Sequence, residues 1–471
     1  MKIFIKNINS RLETDNPRLL KALVDKYTHS IPGANYSSAY KRGHWDGKKH
    51  FIHPRTGEFK TGLLPLLLED LKLIECDPEL IYEDPIDPSF NIQEHTFDGW
   101  DLHDYQESLV GQALDNKRCV IKSPTGSGKT LIMASVIKAF GPQAKILCLF
   151  TKKQLIHQSY EFLVSKAPKG VELTKTKEFS VGVAFSEGFE YGNIMLCSVY
   201  SLEKLIGTPH ERPDVLIVDE CHEFSKGKLT SEAISSFPTA KYRIGFTATP
   251  PTDAIPKFTL QGGLGPVISE VETSSLIAKG MLAQPYVQIL PLHTSADDHL
   301  DMDYRTVYDN YIVRNEVRNK AISSIVESIK AKTPQAKVLI LVNSLEHGQN
   351  LMQKITDAKY LQGSDDLRER NKIIKDFKTK DQFKVLIGTK ILETGVNIPE
   401  ITHFINARGL FSEIATIQAL GRALRLNDFS NKVYVYDFYD EIKYLSNHSR
   451  KRKSTYKNQG HIIEVLPKVY Y

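Results

Sequence analysis

Lys129 and Thr130 close the segment Ser123-Pro124-Thr125-Gly126-Ser127-Gly128-Lys129-Thr130. An apolar run, Cys119-Val120-Ile121, precedes it, and a helical pattern from Leu131 to Ile137 follows. Strand, glycine-rich loop, Lys-Thr and helix is an order that wraps backbone N–H groups around a polyphosphate. The lysine brings positive charge to the β- and γ-phosphates, and the threonine hydroxyl can ligate Mg²⁺. All eight residues are candidate nucleotide contacts. Ser123 stands where such loops usually begin with Gly, and a small residue still allows the turn. A second apolar run, Val215-Leu216-Ile217-Val218, ends in Asp219-Glu220-Cys221-His222. Carboxylates at the C-terminal end of a parallel strand lie where open α/β sheets bind ligands. Asp219 suits Mg²⁺ and Glu220 suits an attacking water. Lys129, Asp219 and Glu220 together read as a centre for nucleoside triphosphate hydrolysis. Further on, Gln418, Arg422 and Arg425 are spaced i, i+4, i+7 and share one helix face. Three long polar side chains on one face are poor core material but good phosphate partners.

More segments follow in a fixed order: Gly245-Phe246-Thr247-Ala248-Thr249-Pro250, Val338 to Asn343, Gly388-Thr389 through Gly395-Val396-Asn397-Ile398-Pro399, and Gln418 to Arg425. From about residue 100 to 440 this ordered set resembles the superfamily 2 helicases and translocases. The resemblance implies ATP and Mg²⁺ as cofactors. It implies that Arg425 is the arginine finger, Arg422 a second γ-phosphate contact and Gln418 a sensor of nucleotide state, with Gly395 also at the nucleotide. Gln106, in Leu102-His103-Asp104-Tyr105-Gln106, resembles the adenine-reading glutamine of these enzymes. Thr247 and Thr249 resemble the element that couples ATP state to strand binding. Thr151-Lys152 and Ser198 resemble loops that hold successive phosphates of a strand, and Thr389 resembles a further backbone-phosphate contact. Many relatives carry Asp at the place of Asn397.

The elements that must position these residues are legible in outline. Strand-like runs at 119–122, 146–150, 193–199, 215–218 and 243–246 alternate with helical patterns, as in a parallel-sheet domain. A second series runs through 286–292, 337–342, 384–388, 402–406 and 433–437. The expected fold is α/β, with two tandem RecA-like domains at 91–283 and 284–446. A small α+β domain at 1–90 precedes them, and a basic tail at 447–471 follows. In the first domain a strand at 2–6 leads to an Asn16-Pro17 helix start. A helix follows, then two strands, 48–54 and 59–64, paired around Arg55-Thr56-Gly57-Glu58, and a helix from 64 to 73. The acidic, proline-bearing stretch 83–88 reads as a linker.

Composition bounds the class. A chain of 471 residues, 41% hydrophobic and 25% charged, fits about three globular domains. No run reaches the ~20 apolar residues of a membrane span, so no membrane partner is expected. The five cysteines lack metal-ligand spacing and read as reduced thiols, which suits the cytoplasm (the host's, for a phage protein). Charge is lopsided: residues 1–60 carry twelve Lys/Arg against five Asp/Glu, and 441–471 carry seven against two. Basic blocks flanking a motor suggest nucleic acid.

Tyr36 to Lys49 interleaves aromatics and cations, with Lys41, Arg42, Trp45 and Lys48 the candidate DNA contacts. Its Gly-x-Trp-Asp-Gly piece resembles the N-terminal domain of phage recombination helicases of the UvsW type, which reverse forks, migrate junctions and unwind R- or D-loops. The sequence therefore points to a monomeric, ATP-dependent motor acting on branched DNA. A duplex translocase subunit of a restriction system and an ATP-gated clamp without turnover are the alternatives.

Overall fold

The computed structural model describes residues 1–83, 92–269, 271–293, 300–362, 367–379, 383–389, 401–411 and 432–470. They fall into two compact units, Met1–Ser123 with Gly128–Glu270 and Val271–Tyr471 with the short loop segment Pro124–Ser127.

The first unit is built on an eight-stranded sheet. Strand Arg118–Lys122, which delivers the glycine-rich loop, lies beside Tyr242–Thr247, and that strand lies beside Val215–Val218. These pairings are parallel, as are those to Ile146–Phe150 and Ile194–Ser198. The central strands are buried on both faces, which is why they read as unbroken apolar runs. The edge hairpin Val181–Phe185/Gly188–Glu190 and the two-residue strand Val267–Ile268 are additions to the expected strands. Cys119, Cys148 and Cys197 are core residues, as expected, and burial pushes the Cys119 thiol up to about 12.

The N-terminal segment is α+β, with strands Lys2–Ile5, Asn9–Glu13, Glu58–Lys60 and Glu79–Tyr82 in one sheet. Asn16 caps helix Pro17–Lys26 by accepting from the Arg18 and Leu19 N–H groups. The expected hairpin around residues 55–58 is not the main pairing. The turn itself closes, with His53 N–H on the Glu58 carbonyl at 2.8 Å, Gly57 N–H on the His53 carbonyl at 3.0 Å and a bridge from Ile52 to Phe59, but Lys48–His50 pairs with Thr28–Ser30 and Glu58–Lys60 with Asn9–Glu13. The reason is long-range: a core of Ile3, Leu12, Leu23, Tyr27, Phe51 and Leu67 competes with the local turn and wins.

That core does not close on itself. Ile255 and Phe258, from helix Ala254–Leu264 of the motor domain, pack into it. The same helix sends Leu260 and Leu264 into the core of the motor sheet. Asn7 donates to the carbonyls of Pro238 and Ala240, and Arg118 donates back to Asn7. A Cβ at Gly62 would meet the Gln261 carbonyl at 2.1 Å, so the backbones touch there. The N-terminal domain is thus part of the first unit rather than a bead on a linker.

In the second unit, strands Gln284–His293, Val338–Leu341, Ala358–Leu361, Val385–Gly388, His403–Asn406 and Lys432–Asp440 form a parallel sheet. The expectation of a basic tail at 447–471 needs correcting. Helix Leu445–Asn458 packs on the domain, and Ile462–Val465 and Val469–Tyr470 pair with Gln284–His293. The physical cause is a buried ion pair: Arg452, 1% exposed, binds Asp437 at 3.0 Å and the carbonyls of Phe438 and Leu410. A cation so placed cannot belong to a solvated tail.

The chain's two tryptophans, Trp45 and Trp100, report on the N-terminal segment and on the motor part of the first unit. Urea unfolding followed in Trp45→Phe and Trp100→Phe variants should give coincident midpoints, because one helix serves both cores. Two separated transitions would show that the N-terminal segment folds independently.

Candidate nucleotide site

The site is assembled by the order of three neighbouring strands. Gly128 lies in the left-handed region (φ 80°) and caps helix Lys129–Ala139. A Cβ there would come within 2.3 Å of the Gln106 Nε2 atom, so only glycine lets the loop and Gln106 approach each other. Ser123, buried, donates its N–H to the Thr247 carbonyl at 2.9 Å, fixing the start of the loop to the adjacent strand. Inside the loop, Ser127 donates both its N–H and its hydroxyl to the Pro124 carbonyl, at 3.1 and 2.6 Å. Pro124 is buried, Thr125 half-buried and Gly126 exposed. Gly126 also has positive φ. Thr130 sits in the first turn of the helix.

Lys129 reaches across strand Tyr242–Thr247 to the end of Val215–Val218. Its ammonium lies 2.9 Å from Asp219 and 2.5 Å from Glu220. Burial alone would push this ammonium down, but the two carboxylates outweigh it and hold Lys129 above the usual lysine range. For Asp219, burial is the larger effect and moves its carboxyl up, against the pull of Lys129. Glu220 occupies the left-handed region (φ 45°, ψ 47°), a conformation that side chains other than glycine rarely adopt. Backbone strain held at the chemical end of a strand is a mark of a functional position.

His222, which closes the Asp219-Glu220-Cys221-His222 motif, has a structural role. It is buried, with Nδ1 2.9 Å from the Thr247 hydroxyl and Nε2 3.0 Å from Glu223. The Thr247 hydroxyl in turn accepts the Thr249 N–H at 3.1 Å. A proton on Nε2 satisfies both ends: His222 donates to Glu223, and Thr247 donates to Nδ1. The end of one strand is thereby tied to the Thr247–Pro250 turn of the next. The only sequence signal was a histidine three places after Asp219.

Gln106 is buried in the first turn of helix Asp104–Asn116, where its Oε1 accepts the His103 N–H at 2.9 Å in a capping box. Ser123, Gly128, Lys129, Asp219, Glu220 and Gln106 are therefore brought together. Gly395, Gln418, Arg422 and Arg425 lie outside the described residues.

The donor set suits a nucleoside triphosphate with Mg²⁺. It offers a glycine cradle, the N-terminus of an eleven-residue helix, one lysine, one threonine hydroxyl and a carboxylate. No group of three or more His, Cys, Asp or Glu among the described residues could hold a metal by itself. Mg²⁺ is usually shared between one or two carboxylates and phosphate oxygens. Thr130 and Asp219 would hold the ion, which when bound neutralises charge on the phosphates. Glu220 would orient a water and accept its proton.

The candidate strand contacts are less uniform. Lys41, Arg42 and Lys48 are exposed and Trp45 is half-buried outside the core, its Nε1 donating to the Lys48 carbonyl at 3.0 Å. Thr151 and Lys152 are half-buried where strand Ile146–Phe150 ends. Ser198 is buried and spends its hydroxyl capping the next turn through the Tyr200 N–H, which leaves Tyr200, 61% exposed, as the available group there. Thr389 follows strand Val385–Gly388 and is half-buried.

The His222 contact holds the Glu223 carboxyl down at about 2, against an ordinary 4.5. A depressed carboxyl stabilises the fold fully above its unfolded value, and that share is lost as the pH falls through the folded one. The stability gap between wild type and Glu223→Gln should hold steady from ~pH 7 to ~5 and shrink from there towards ~2. Urea unfolding at each pH measures it, and a gap that widened on acidification would contradict this geometry.

Comparison with known proteins agrees with the geometry. The description "Type III restriction enzyme, res subunit" matches residues 99–252, and "Helicase conserved C-terminal domain" matches 318–427. The ATP-dependent DNA helicase uvsW of Enterobacteria phage T4 is 23% identical over 91% of this chain and 89% of its own. The putative mitochondrial ATP-dependent helicase irc3 of Schizosaccharomyces pombe is 26% identical over 74% of this chain, which spans 59% of that relative. In fold, the chain is similar to the Type ISP restriction-modification enzyme LlaBIII bound to DNA, with a TM-score of 0.58 at 14% identity over 86% of this chain and 34% of that one. With the phosphate loop, the Asp219-Glu220 strand end and both helicase domains in place, the chain belongs to the superfamily 2 helicases and is an ATP-dependent DNA helicase.

Proposed function

We infer that this helicase remodels branched DNA, reversing forks, migrating four-way junctions and displacing the invading strand of R- and D-loops. One observation carries the reading. The first unit holds Lys129, Asp219 and Glu220 together with a folded arm, residues 31–47, that presents Tyr36, 80% exposed, with exposed Lys41 and Arg42. Rings and cations on one surface suit unpaired bases and backbone phosphates at a branch. Similarity to the T4 helicase over 91% of the chain supports the same reading.

In this reading Trp45 and Lys48 join the arm's contacts. Thr151, Lys152 and Thr389 hold the translocated strand, with Tyr200 beside Ser198. Arg425 is the arginine finger, Arg422 its companion, and Gln418 and Gly395 complete the nucleotide contacts. The enzyme acts as a monomer, and its unpaired cysteines fit the cytoplasm. A duplex translocase of a restriction system is the second reading, favoured by the family description that matches residues 99–252.

A substrate panel separates the two. Forks, Holliday junctions and R-loops should be unwound with ATP, and blunt duplexes should be poor substrates. Equal activity on blunt duplex, with no strand separation at forks, would favour the translocase. Lys129→Ala should lose nucleotide turnover while its melting curve shows a folded protein. Arg425→Ala should still bind ATP but turn it over ~10³–10⁵ times more slowly. Lost ATP affinity with unchanged turnover at saturation would make Arg425 a ground-state contact instead.

A further inference from the structure

The arm has a specific seat. Its two feet are the strands Thr28–Ser30 and Lys48–His50, paired antiparallel. Between them, Ile31 N–H bonds the Gly47 carbonyl at 2.8 Å and closes the loop at its base. Asp46 accepts the Lys48 N–H at 3.0 Å and lies 2.8 Å from His50 Nε2. Gly47 has φ 75°, and a Cβ there would come within 2.9 Å of the Tyr40 ring, so the glycine lets that ring lie against the base. The arm is therefore built rather than draped.

Both feet stand on helix Ala254–Leu264. The Phe258 ring stacks on His29 at 5.1 Å and meets Phe51 at 5.3 Å, one from each side of the hairpin. It also packs against Tyr27 at 5.3 Å. Lys49 donates to the Thr259 hydroxyl at 2.9 Å, and that hydroxyl donates to the Ile255 carbonyl. Burial in this seat lowers the Lys49 ammonium below its usual range. Lys49, a basic residue of the arm by sequence, is thus a structural foot.

The helix begins four residues after Pro250, the end of the turn in which the Thr247 hydroxyl meets His222 and accepts the Thr249 N–H. Its far end is held in the motor core by Leu260 and Leu264. A continuous path of packed groups thus runs from Glu220 and His222 through Thr247–Pro250 and the helix to the arm.

We propose that helix Ala254–Leu264 couples the nucleotide centre to the N-terminal arm, with Phe258 and Thr259 as positioning residues for a DNA contact made by Tyr36, Lys41 and Arg42. The inference rests on the branched-DNA reading above. It identifies what sets the arm's place: neither Phe258 nor Thr259 touches DNA, yet both fix where the arm's rings and cations stand relative to the motor.

The test uses the full-length protein and reads the number of fork base pairs separated per ATP hydrolysed, beside ATPase stimulated by a linear single strand. Phe258→Ala should lower the coupling ratio ~10-fold while linear-strand ATPase stays within ~2-fold of wild type, and Phe258→Leu should restore most of it. Thr259→Val removes the Lys49 bond to the seat, along with the bond to the Ile255 carbonyl within the helix, and should lower the ratio ~3-fold. It decides the matter if Phe258→Ala does not fold. A merely structural role would lower ATPase and unwinding together and leave their ratio unmoved. Wild-type ratios in both Phe258→Ala and Thr259→Val overturn the coupling. Lys41→Ala/Arg42→Ala separates this failure from that of the underlying reading. If that variant binds forks more weakly, with a flatter salt dependence, while the seat variants keep wild-type ratios, only the coupling falls. If it binds forks as wild type does, the arm's role in binding DNA falls.

Discussion

The buried meeting of Lys129 with Asp219 and Glu220 is the constraint that the first unit is arranged around. One cation and two carboxylates are largely withdrawn from water at the ends of two strands that are not direct neighbours. Removing either kind of partner would leave an uncompensated buried charge, an arrangement that costs several kcal/mol in proteins generally. The sheet must therefore hold Arg118–Lys122 and Val215–Val218 one strand apart, with Tyr242–Thr247 between them. That intervening strand is not a spacer. Its Thr247 carbonyl anchors the glycine-rich loop through Ser123, and its Thr247 hydroxyl takes the bond from His222. Loop, carboxylates and turn are fixed by the same three strands, so a displacement of one is felt by the others.

Charge at the two ends of the chain is used in different ways. In the N-terminal segment, Lys41, Arg42 and Lys48 face solvent on the arm, while Lys49, next in line, bonds Thr259. In the C-terminal run, Arg450, Lys451 and Lys453 are exposed, while Arg452 between them is buried against Asp437. Arg318 makes a comparable pair with Asp440, both fully buried. Consecutive basic residues on a helix point in different directions, so a run of four charges divides into a solvated face and a residue that ties the helix to its sheet. Paired buried charges of this kind favour one packing arrangement, because each alternative leaves a charge without a partner.

The buried parallel strands were legible because each is covered on both faces and is therefore apolar without interruption. The phosphate loop was legible because its function demands glycine at fixed places and Lys-Thr after them. The hairpin expected at residues 55–58 shows the opposite case. Its turn closes as the residues suggest, but beyond Ile52 and Phe59 the strands part, Lys48–His50 to Thr28–Ser30 and Glu58–Lys60 to Asn9–Glu13, and no local pattern marks those partners. The tail expected at 447–471 failed for a related reason, since a count of basic residues cannot show that an aspartate eight places upstream of the helix will bury one of them.

The sequence by itself determined the chemistry: a triphosphate cradle, a carboxylate pair at a strand end, and the ordered motifs of a helicase. These depend on residue type and short spacing, which are local and are written directly in the chain. Only the tertiary structure decided what is connected to what. His222 bridges to Thr247, 25 residues away, and Phe258 enters a core built from residues more than 180 positions earlier. Such contacts are selected by complementarity of shape and charge between surfaces that exist only once both partners have folded, and no local pattern encodes them.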